Sequence, residues 1–133
     1  MAFKDAAEVR TYLGGVFETA FADPEIGPKL KSTGIVLKTV YTDPEAIVII
    51  DTTTGEVFEG DGSSDSTAEM AMTADTGNAY WQGKVNLPLA MAKSKIKVQG
   101  NVASLLKLAP LGKKLYPRYI ETLKADGRDD LLV

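Results

Sequence analysis

Hydrophobic residues in the first segment recur at three- and four-residue steps: Val9, Leu13, Val16, Phe17, Ala20 and Phe21, with Lys4, Glu8, Arg10 and Glu18 off that stripe. This period predicts an amphipathic helix buried on one face. Gly14-Gly15 weakens it by about 1 kcal/mol per glycine relative to alanine, which implies a close packing partner there. Asp23-Pro24 ends the helix, and a second, short one is expected over residues 24–31. From Ile35 the period changes to two. Ile35, Leu37, Thr39 and Tyr41 point one way, and Val36, Lys38, Val40 and Thr42 the other, which is the alternation of a strand. Asp43-Pro44-Glu45 turns the chain into Ala46-Ile47-Val48-Ile49-Ile50, apolar on both faces and so an interior strand. Thr54-Gly55 makes the next turn, residues 56–59 a short third strand, residues 60–65 a polar loop, and residues 67–73 a fourth strand with Ala68, Met70 and Met72 on one face.

The second half is mostly helical. Thr73 or Asp75 can cap a helix that runs through Trp81-Gln82 and stops at Gly83, and Asn86-Leu87-Pro88 begins another. Lys95-Ile96-Lys97-Val98-Gln99 alternates as an edge strand does, with its lysines outward. Gly100-Asn101 turns it into a helix whose apolar face carries Val102, Leu105, Leu106, Leu108 and Ala109. Pro110 and Pro117 are expected to break or kink the chain after that face. Tyr116, Tyr119, Ile120 and Leu123 give a last amphipathic stretch, and the polar tail 126–130 is expected to fray. The order of helix, four strands, helices, strand, helix is that of an α+β fold. It predicts a mostly antiparallel sheet with one face under helices.

Composition narrows the chemistry. The chain has 133 residues, 44% hydrophobic and 25% charged, which fits one domain spanning 1–133. Histidine and cysteine are both absent, which excludes disulfide scaffolds, thiolate nucleophiles, Ser-His-Asp and Cys-His hydrolases, and zinc or haem sites that use those ligands. No catalytic residue, metal or cofactor is expected. The net charge of −3 argues against a nucleic-acid partner. With no secretory or transit signal in its first residues and no apolar run near the roughly 20 residues of a membrane span, the chain reads as a soluble cytoplasmic protein. Asp61-Gly62-Ser63-Ser64-Asp65 lacks the distal glutamate of a calcium loop and reads as a solvated turn. Ser94-Lys95 and Ser104-x-x-Lys107 read as coincidences of common residues rather than Ser-Lys nucleophiles.

An ordered series over residues 67–111 resembles the sterol carrier protein 2 family of small non-specific lipid-transfer domains. It comprises the strand Ala68-Glu69-Met70-Ala71-Met72, the helix end Ala79-Tyr80-Trp81-Gln82-Gly83-Lys84, the helix start Val85-Asn86-Leu87-Pro88, the strand Lys95-Ile96-Lys97-Val98-Gln99-Gly100-Asn101 and the helix Val102-Ala103-Ser104-Leu105-Leu106-Lys107-Leu108. Ser94 and Asn101 stand where the family commonly has Gly and Asp, both turn-competent exchanges. The resemblance implies a five-stranded sheet with helices on one face and an apolar tunnel between them. The implied function is non-catalytic binding and transfer of a sterol, fatty acyl chain or similar lipid. Met70, Met72, Trp81, Leu89, Met91, Leu105, Leu106 and Leu108 are the candidates to line that tunnel, with the C-terminal helix as its gate. The same methionines and tryptophan also serve as ordinary core residues, and the residue types alone leave that choice open.

Charge is segregated along the chain. Residues 43–75 hold nine acids and no base, whereas residues 76–120 hold eight bases and no acid. Lys113, Lys114 and Arg118, beside Leu111, Leu115 and Tyr119, are candidates for peripheral contact with an anionic membrane. Lys95 and Lys97 are expected to pair with Glu69 across neighbouring strands. A second reading is an interaction module that docks a partner enzyme or a second copy, and the oligomeric state is read as monomer or homodimer.

Overall fold

Asp5 starts the first helix by accepting a hydrogen bond from the Glu8 backbone N–H at 2.9 Å, as N-caps do. The computed structural model describes residues 3–133. The opening helical run consists of α1 (Ala6–Val9), a π-helical turn (Arg10–Gly14) and α2 (Gly15–Ala22), and α3 (Ile26–Lys31) comes next. One glycine of the pair has the close partner expected: a methyl group on Gly14 would stand 3.2 Å from a Val57 side-chain carbon, whereas Gly15 faces open space. The strands packed against these helices are β1 (Val36–Thr42), β2 (Ala46–Asp51), β3 (Glu56–Glu59) and β4 (Ala68–Thr73). Then come α4 (Ala74–Tyr80), α5 (Leu87–Ala92), β5 (Lys97–Gly100), α6 (Val102–Gly112) and α7 (Tyr116–Ala125).

The sheet order is β3-β2-β1-β4-β5. All neighbours are antiparallel except β1 and β4, which run parallel. That single parallel pair arises because the chain leaves the β3 edge, crosses the sheet's outer face through residues 60–66, and re-enters beside β1. Lys38 holds this crossing down. Its ammonium donates to the Gly62 carbonyl at 3.0 Å and faces Glu69 at 3.8 Å, so a buried lysine has its charge matched. Gly60 lies so close over Ile49 that a Cβ would come within 2.6 Å of it. The crossing thus explains why β2 is apolar on both faces.

Three expectations change. Glu69 stands opposite Gln99, and Lys97 opposite Ala71, so Glu69 pairs with Lys38 of β1 rather than with Lys95 or Lys97. Pro110 does not break α6, which runs on to Gly112 and gives way to a 3₁₀ turn, Lys113–Leu115. The tail does not fray. Leu131 is fully buried, its carbonyl accepts from Asn78 and Gln82 at 2.8 Å each, and Arg128 bonds Glu8 at 2.7 Å and Asp130 at 3.0 Å. Polarity along residues 126–130 hid the single leucine that anchors them.

Candidate functional site

Strand alternation aims Leu37, Thr39 and Tyr41 of β1 at the helices, and the β1–β4 register places Thr39 beside Met70 and Tyr41 beside Met72. Val98 of β5 lies beside Met70 on the same face. This strip is the floor of an apolar cavity roofed by Trp81, Leu87, Met91, Leu105, Leu106, Leu108 and Leu111, with Phe17, Ile26 and Leu30 closing one side. Of the residues singled out from sequence, Met70, Met72, Trp81, Met91, Leu105, Leu106 and Leu108 line it. Leu89 is 52% exposed and lines an outer groove with Lys84 and Lys93 instead. Helical geometry explains the difference: Leu87 and Met91 are four residues apart and share a face, whereas Leu89 sits nearly opposite. The Leu87–Met91 spacing was the signal that could have placed Leu87 in the lining. The floor residues Leu37, Thr39 and Tyr41 were visible as one face of a strand but not as part of a site.

Polar groups at the cavity are few and internally satisfied. The Thr39 hydroxyl donates to the Val48 carbonyl at 2.7 Å. Burial pushes the Tyr41 phenol up to about 12, against a smaller opposing effect of Thr39. Burial also raises Tyr80, helped by Tyr116. Both phenols stay neutral. Among the described residues no carboxylate, lysine or arginine lines the cavity, so its chemistry is the removal of hydrocarbon from water. Trp81 is both core anchor and lining residue: its ring meets Phe17 edge-on at 5.5 Å and Tyr80 at 5.1 Å. The room left for the centre of a water molecule is only about 70 Å³, where one water needs about 10–15 Å³ by that measure. This is space for a handful of waters, far less than a long acyl chain or a sterol occupies.

The roof is lightly held. Within α6 only Leu105 and Gly112 are buried, and Leu106 is 45% exposed. The segment after α6 is held more firmly. Lys114 bonds Glu25 at 2.7 Å and Arg118 bonds Asp23 at 2.6 Å, tying the start of α7 to the α2–α3 turn. Asp23 also accepts from the Ile26 and Glu25 backbone N–H groups at 2.8 Å each. Those two bonds first, and Arg118 next, hold its carboxyl down at about 2. Two of the three candidate membrane cations are therefore engaged by acids. Lys113 is exposed and lines a groove outside the cavity.

The sequence of residues 16–113 matches the model of the SCP-2 sterol transfer family. The chain belongs to that family. Solved structures show the same fold at low identity. A sterol carrier protein domain from Helicoverpa armigera is 22% identical with a TM-score of 0.67, the match covering 82% of this chain and 88% of that one. Sterol carrier protein 2 from Yarrowia lipolytica is 17% identical with a TM-score of 0.65, covering 87% and 98%. Sterol carrier protein 2 from Aedes aegypti, solved in complex with palmitate, is 22% identical with a TM-score of 0.58, covering 83% and 96%. No curated protein sequence matches the chain. In this SCP-2 family member the cavity lies between the sheet and the helices that come after β4, with α2 and α3 closing one side. Among the described residues no helix is long and apolar enough to cross a membrane.

Proposed function

We propose that this protein binds a single apolar lipid, an acyl chain or a sterol, in the cavity between β1, β4, β5 and α4–α6, and passes it to membranes without altering it. The observation that carries the reading is a cavity lined by hydrocarbon, aromatic rings and thioethers with no charged group. Family membership and the palmitate complex of the Aedes aegypti relative support it. Each buried methylene is worth about 0.8 kcal/mol, so a long chain offers ample free energy to displace a lightly packed roof. Met70, Met72 and Met91 line both floor and roof, and their flexible thioethers let the walls re-form around different shapes. Loading requires the narrow cavity to widen, and α6, with only Leu105 and Gly112 buried among its eleven residues, is a roof element with little to lose by moving. On the outer side of the roof, Leu106 is exposed in a groove that also carries Lys84 and Lys113. This combination suits transient contact with an anionic lipid surface, and Lys113 is the member of the basic trio Lys113, Lys114 and Arg118 placed to take part.

The test is direct. Purified protein is extracted with organic solvent and the extract analysed by mass spectrometry. In parallel, palmitate and cholesterol compete with a fluorescent acyl probe. Retained lipid or displacement of the probe supports carriage. An empty extract together with failure of both competitors rules it out.

A further inference from the structure

A wide groove with about 630 Å³ of room lies outside α4–α6, and it shares Tyr80, Leu87, Leu106 and Ala109 with the apolar cavity. Its remaining wall carries Lys84, from the turn after α4, and Lys113, from the 3₁₀ turn after α6, and among the described residues no carboxylate. Neither lysine forms an ion pair among the described residues, although the adjoining Lys114 does, to Glu25. The cavity lining carries no charged side chain among the described residues, and the groove that adjoins it across those four residues is edged by two cations that form no ion pair. A ligand that satisfies both has a hydrocarbon chain and one negative end. We infer that Lys84 and Lys113 form a carboxylate subsite, which orients a single-chain fatty acid with its tail under α6 and its head in the outer groove. The inference deepens the lipid-binding reading and rests on it.

The two lysines come from segments on either side of Leu106 and Ala109, so a head bound between them bridges the α4–α5 turn and the end of the roof helix. Binding the acid thereby fastens the roof, whereas a neutral chain of equal length fills the cavity without that bridge. Exposed ion pairs are individually weak, so the preference for the acid over the matching alcohol should be about three- to tenfold and should shrink as salt is added.

The experiment titrates the protein with palmitate and with hexadecanol below their aggregation limits, following the fluorescence of Trp81, which lines the cavity and is the only tryptophan. The wild type should favour palmitate, and Lys84→Gln with Lys113→Gln should bring the ratio of the two affinities close to one. Because both side chains are exposed, folding is checked by the unfolding midpoint of the variant. Equal affinities in the wild type, or a ratio unchanged in the double variant, overturn the subsite while leaving lipid binding in place. Failure of both ligands to bind the wild type overturns the lipid reading and the subsite together.

Discussion

Asn78 is buried and links three parts of the chain. Its amide donates to the Leu131 carbonyl at 2.8 Å, and its oxygen accepts from the Tyr119 hydroxyl at 2.6 Å and from Gln82 at 3.0 Å. Asn78→Ala would leave the Tyr119 hydroxyl buried without its partner and should destabilise the fold by about 2–3 kcal/mol, measured by urea unfolding. A change under about 0.5 kcal/mol would mean that water replaces the amide without penalty. Asp23 gives a pH signature at the same scale. Its folded pKa lies near 2, below the ordinary carboxylate range, so it stabilises the native state above that range and loses the effect as pH falls towards about 2. Asp23→Ala should therefore be less stable than wild type at neutral pH, and the difference should close through that acid window. A gap that stays constant across the window would mean the carboxyl's charge plays no part.

At the scale of elements, α6 and α5 behave differently from the sheet. Roofing a cavity with one buried leucine and a glycine leaves α6 few contacts to break, so its amides should exchange hydrogen faster than those of β1 and β2. Adding palmitate should slow α6 selectively, as read by mass spectrometry. Equal protection of α6 and β1 before palmitate is added would mean that α6 is not the element that opens, and the C-terminal helix α7, expected as the gate, contributes no residue to the cavity lining. In α5, the face rather than the element decides: Leu87→Ala should weaken acyl-probe binding by about fivefold, since about 1 kcal/mol of apolar contact is lost. Leu89→Ala, on the exposed face, should weaken it far less.

Charge over the whole molecule is better mixed than along the chain. The acids of residues 43–75 include Glu69, which faces Lys38, and the basic second half sends Lys114 and Arg118 back to Glu25 and Asp23. The cations that stay without an acid include the two that edge the groove beside the cavity, so surface attraction should be local there rather than spread over the C-terminus. Transfer of lipid should accordingly be faster to anionic than to neutral vesicles and slower in high salt, because screening acts over about 8 Å at physiological ionic strength. Equal rates to both vesicle types at every salt concentration would confine the lysines to solvation and ligand contact.

The elements, their order and their apolar faces are written in local patterns of the chain. Period two in Leu37, Thr39 and Tyr41, period near four in the helices, and caps at Thr73 and Asn86 are local signals. The caps are found in place, the Thr73 hydroxyl accepting from the Thr76 N–H at 3.0 Å and the Asn86 oxygen from the Leu89 N–H at 3.0 Å. Methionines and leucines of β4, α5 and α6 were legible as apolar faces from their spacing, but it was the family resemblance that made them a candidate lining rather than plain core, and Leu89 fell outside it. That β4 runs parallel to β1 emerges only on folding, because it depends on a crossing held by Lys38 and Gly60, residues far apart in the chain. So do the docking of the tail through Leu131 and the narrowness of the cavity. Pairing of Lys114 and Arg118 with Glu25 and Asp23 joins residues about ninety positions apart. Partners so distant leave no periodic trace, since a charge records its own hydration preference and not the acid that folding brings beside it.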